Sequence, residues 1–147
     1  MRQSKRLETV QRVMDGEERR RAQSLAACER RVGECEAKLA ELQGYQLTYT
    51  REFARHAGRG MNGARLREFQ TFLARLEEAV LQQTEILGRA RTERDEQIAA
   101  WRRASQRKDM VGRVVTGRRN EERRALEREE QRDSDERGSR RNRRHGE

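Results

Sequence analysis

The chain has 147 residues, of which 41% are charged and 32% hydrophobic; it carries a net charge of +9 and contains no proline. So little apolar material excludes a conventional globular core. Without proline the main helix breaker is missing, abundant Ala, Leu, Arg, Glu and Gln favours helix, and no strand-like alternation bounded by turn residues occurs, so the prediction is all-α.

Taken in order, the first helix is predicted over about 4–55, with Ser4 as its N-cap. Its opening third is weakly patterned: Leu7 and Met14 hold one seam position, while Gln11, Glu18 and Arg21 occupy others. From Leu25 the pattern firms. Leu25, Cys28, Val32, Cys35, Leu39, Leu42, Tyr49 and Phe53 follow alternating three- and four-residue steps, interrupted only by Gln46. This is the a/d signature of a coiled coil.

A tip is predicted over about 56–63, around Gly58, Gly60 and Gly63. The second helix then covers about 64–136, with Leu66, Phe69, Leu73, Leu76, Val80, Gln83, Leu87 and Ala90 repeating the same period. The seam turns polar at Arg94, Gln97 and Lys108 and recovers at Val111 and Val115. Two matched seams about a short glycine-rich gap predict a long antiparallel two-helix coiled-coil hairpin. Residue i is expected to meet roughly residue 119 − i, in a rod of roughly 70 Å. The hairpin is one domain over 1–136. Residues 137–147 form a basic C-terminal tail with nothing to bury, predicted disordered.

Other signals are sparse. Met1–Arg12 has no apolar stretch of signal-peptide type, and no run approaches the roughly 20 residues of a membrane span, so retention in a cytosol is expected. Cys28 and Cys35, seven residues apart on one helix, are about 10 Å apart, too far for a disulfide, and are taken as seam residues. Residues 117–147 hold eleven Arg and nine Asp or Glu, so most of the positive charge lies in 1–116. The stretch 53–67 is locally cationic, with Arg55, Arg59, Arg65, Arg67 and His56 and no acid. His56 and His145 are expected to be ordinary surface residues in mobile segments. Trp101 falls on the seam, either packed or making an exposed contact. No phosphate loop, catalytic constellation or metal cluster is present, and no cofactor or enzymatic activity is expected.

The informative residues flank the seam. On one helix Leu42, Tyr45 and Tyr49 form a stripe; on the other Phe72, Leu76, Ala79 and Gln83 do. The expected pairing brings both to one side near the tip, either as an apolar, aromatic binding patch or as a widened core.

At this point three segments resemble the flagellar export protein FliJ: residues 4–13 (Ser-Lys-Arg-Leu-Glu-Thr-Val-Gln-Arg-Val), 39–49 (Leu-Ala-Glu-Leu-Gln-Gly-Tyr-Gln-Leu-Thr-Tyr) and 66–76 (Leu-Arg-Glu-Phe-Gln-Thr-Phe-Leu-Ala-Arg-Leu). The resemblance spans roughly 4–115 in order and spacing. It implies a stalk of the flagellar type III export apparatus, monomeric in isolation. Such a stalk enters the pore of a hexameric flagellar export ATPase, links it to the membrane export gate protein and handles export chaperones. Its expected location is cytoplasmic, peripheral at the inner membrane. Export-gate binding is implied for Leu42, Tyr45, Tyr49, Phe72, Leu76 and Ala79. ATPase binding is implied near the chain's ends, at Leu7, Val10, Met14, Glu17, Glu18, Arg20, Arg21, Val111 and Val115. The rivals are an injectisome stalk, a dimerising scaffold, and a basic coiled coil binding nucleic acid. Against the last, the basic residues are interleaved with acids and no recognised nucleic-acid module is present, so no nucleic-acid partner is expected.

Overall fold

The computed structural model describes residues 2–146, with side chains described from Gln3 onward. Met1 and Glu147, the outermost residues of the predicted domain and tail, lie outside the described residues. Two helices account for nearly everything: α1 (Arg2–Ala57, 56 residues) and α2 (Gly63–His145, 83 residues). No strand occurs among the described residues. Nor is any helix there long and apolar enough to cross a membrane.

Two compact units are distinguished. One joins residues 2–20 to 102–146, and the other is Arg21–Trp101. In the second unit α1 and α2 run antiparallel on either side of the turn. Its centre is a cluster of Val32, Cys35, Leu87 and Ala90 with Leu39 packed against it, all predicted seam residues. Gln83, also on the seam, is buried and donates through Nε2 to the Cys35 backbone carbonyl at 3.2 Å. That bond joins the helices and satisfies the amide that burial would otherwise penalise. Cys28 and Cys35 are free thiols, half-buried and buried.

The turn has a clear local cause. Gly60 has φ +77°, a left-handed conformation that a side chain disfavours, and it carries the chain out of α1. Arg59 N–H donates to the His56 carbonyl and Gly60 N–H to that of Ala57, tightening the helix end. α2 is then capped by Asn62, whose Oδ1 accepts from the Arg65 N–H at 2.8 Å. His56 lies within the last turn of α1, half-buried, with its ring 6.0 Å from that of Phe69. The helix therefore includes His56, the expected first residue of the tip.

The first unit is also an antiparallel helix pair, closed by Ala104 and Val115, both almost fully buried. Here three expectations are corrected. Ser4 is not an N-cap: α1 begins at Arg2, and Ser4 is buried with its hydroxyl donating to Glu122 Oε2 at 3.0 Å. The pairing rule also shifts, because Glu8, expected opposite Val111, meets Arg119, and Glu17 meets Arg107. Helical side chains lean toward their own N-terminus, so in an antiparallel pair touching residues lie further apart in numbering than levels alone suggest.

The third correction concerns the tail. Residues 137–145 are helical, and α2 continues to His145 although every side chain from Arg123 to Gly146 is exposed. Local terms hold this end. No proline interrupts it, Gln131 donates to Asp135 one turn on at 3.2 Å, and Arg143, Arg144 and His145 complement the helix dipole in the last turn.

Candidate interaction surfaces

The second unit presents the flanking stripe. Its side is set by sequence position: Tyr45, Phe72 and Ala79 each immediately precede a seam residue, so all lie on the same flank of the helix pair. Tyr45 is 49% exposed and Phe72 40% exposed, whereas Leu42, Tyr49 and Ala79 are half-buried and Leu76 is buried. The six residues thus grade from core to solvent.

Phe72 is not simply a free surface ring. It meets Tyr49 edge-on, with centroids 4.6 Å apart and an interplanar angle of 67°, a favourable aromatic geometry. Phe53 and Phe69 make a looser contact nearby at 6.0 Å. An open hollow of about 260 Å³ lies here, lined by Tyr49, Glu68, Phe69 and Phe72. Tyr45 by contrast donates its hydroxyl to Glu41 Oε1 at 3.1 Å, one turn back on its own helix. That hydrogen bond to a carboxylate raises the phenol pKa above its ordinary value. The hydroxyl is thus directed along its own helix while about half of the side chain stays in solvent.

Ile86, seven residues beyond Ala79 on the same flank, is 38% exposed and extends the stripe. The heptad step from Ala79 is the sequence signal for it, although Ile86 lies beyond the stripe that ends at Gln83.

The first unit holds most of the residues placed at the other predicted surface. Leu7, Met14, Glu17, Glu18 and Val111 are half-buried, Val115 is buried, and Val10 and Arg20 are exposed. Arg21 belongs to the second unit and is exposed; Ala22, not Arg21, turns inward. Charged residues on the seam and beside it pair across the helices. Arg107 donates to Glu17 at 2.5 Å, and Lys108 lies 3.7 Å from Glu18.

An open groove of about 670 Å³ runs along one side of this unit, between Gln11 and Asp15 on α1 and Lys108, Gly112 and Thr116 on α2. Asp15 Oδ1 is buried there without a hydrogen-bond partner. Trp101 is half-buried. Among the described residues no group of three or more metal-binding side chains comes together. What both surfaces offer chemically is recognition: apolar area with aromatic edges in one unit, paired and partly satisfied charge in the other.

A family model described as Flagellar FliJ protein matches residues 3–147, nearly the entire chain. No curated protein and no solved structure matches it.

Proposed function

The chain belongs to the flagellar FliJ family, whose members are flagellar export components, and from that premise we propose that it is the stalk of the export apparatus. In this role it inserts into a hexameric export ATPase, contacts the membrane export gate and hands on export chaperones. Hydrolysis belongs to the ring; the stalk couples it to the gate by binding.

The observation that carries the proposal is the exposed aromatic flank of the second unit, Tyr45 and Phe72 above buried Leu76. An aromatic patch on a chain that is 41% charged is a natural anchor for a partner. The gate contact is accordingly assigned to Leu42, Tyr45, Tyr49, Phe72, Leu76 and Ala79. The ATPase contact is assigned to Leu7, Val10, Met14, Glu17, Glu18, Arg20, Arg21, Val111 and Val115. Apart from exposed Val10, those positions combine charge with little exposed apolar area, which suits a grip that must be made and released.

Affinity capture with the full chain from flagellated cells tests the assignment. An export ATPase and a gate protein are expected to co-purify. Arg20→Glu with Arg21→Glu, both exposed, is expected to lose ATPase stimulation and keep the gate protein. Full stimulation by that variant would show that the ATPase contact lies elsewhere.

A further inference from the structure

The first unit carries a second apolar surface that shares Val10, Glu17 and Arg20 with the proposed ATPase contact, while Val13, Met110 and Val114 belong to neither proposed contact. Val10, Val13, Met110 and Val114 are all exposed, Val13 at 55% and Met110 at 63%. They share one side. Val10 precedes seam residue Gln11, Val114 precedes Val115, Val13 lies one turn from Val10, and Met110 one turn from Val114. Glu17 and Arg107 continue the same two lines and are joined by their 2.5 Å bond, which shows that these flanks meet across the pair. The Glu8–Arg119 pair lies on the opposite side, each residue following rather than preceding the seam.

The charge around the patch is one-sided. Following the two lines outward gives Arg6, Arg20 and Arg103, all exposed. The carboxylates on those lines, Glu17 and Glu121, are already paired, with Arg107 and Arg118 respectively. The surface is thus an apolar strip between two helices, rimmed by guanidinium groups.

We propose that this face receives an amphipathic helix of a partner protein, with an apolar stripe flanked by carboxylates. A third helix fits the shallow channel between two others, reading it through i, i+3, i+7 anchors. Met110 supplies an adaptable contact, and the arginines favour bidentate pairing with carboxylates. A second copy of this chain is disfavoured as occupant, since it would bring the same arginine rim against the first. The proposal requires neither the ATPase nor the gate.

The test uses the full chain and two synthetic amphipathic helices with identical leucine stripes, one flanked by glutamates and the other by lysines. The glutamate peptide is expected to bind at least about tenfold tighter, and added salt is expected to narrow the gap. Val13→Ser with Met110→Ser is expected to weaken it by about tenfold or more at unchanged helicity, as both side chains are exposed. Arg103→Glu is expected to erase the preference between peptides, a readout that does not depend on the apolar variant folding. Equal affinities, or no binding of either peptide, would overturn the proposal. A dimer of the chain that dissociates in the double variant would assign the face to a second copy and overturn it as well.

Discussion

Tyr45 and Phe72 look alike in the sequence, yet they do different things. Phe72 spends part of its surface on Tyr49 at 4.6 Å, so its removal costs packing between helices. Tyr45 is anchored only along its own helix, through Glu41. A raised phenol pKa means that the neutral form is favoured by folding: the contribution is fully present below the ordinary tyrosine value and is lost as pH rises through the elevated one. Tyr45 and Tyr49 are the two tyrosines of the chain, so Tyr49→Phe isolates the signal. In that background the tyrosinate absorbance of Tyr45 is expected to appear above the usual phenol range, and Glu41→Gln is expected to bring it back down. An unshifted titration with Glu41 intact would show that the hydrogen bond is not kept in solution.

At the scale of the helices, the alternating three- and four-residue steps were legible because seam burial depends only on period. The buried Val32, Cys35, Leu76, Gln83, Leu87 and Ala90 all sit on it. What the period could not supply was the helix ends and the offset of the pair. Ser4 has the chemistry of an N-cap but is buried against Glu122, a contact 118 residues away that no local signal announces. Asn62 lies within the glycine-rich gap, where composition hides the fact that its amide caps α2. The helical end beyond Gly138 has no burial signal in the sequence, because a helix can persist on backbone bonds and charge alone.

The core of the second unit makes a paired stability prediction. Leu87→Ala is expected to cost about 2–3 kcal/mol, near the low end for a buried leucine because a two-helix core can partly collapse. Gln83→Leu is expected to stay within about 1 kcal/mol of the parent, since the Cys35 carbonyl loses a cross-helix donor while a buried amide is removed with it. Urea unfolding of the two variants measures both. A Gln83→Leu loss as large as that of Leu87→Ala would mean that the hydrogen bond, not apolar burial, holds the pair.

For the whole molecule, composition already excluded an enclosed core, and the flanking aromatics already marked a surface. The sequence did not say whether those aromatics widen the core or stand in solvent, because flank positions serve either purpose. Exposure separates them: Tyr45 stands out and Leu76 is in. The second apolar face, around Val13 and Met110, escaped notice because its residues fall on a weakly patterned stretch, where no firm seam indicated which side they share. The central claim is that the Tyr45 flank is the export-gate contact. It is tested most directly by titrating the soluble part of the gate protein with the full chain and its Tyr45→Ala variant. Tyr45 is held along its own helix through Glu41, so helicity should be kept and the unfolding midpoint should fall only slightly. The account predicts that affinity falls by about thirtyfold, as expected for loss of an anchor of about 2 kcal/mol. An unchanged affinity in a fully folded variant would contradict it.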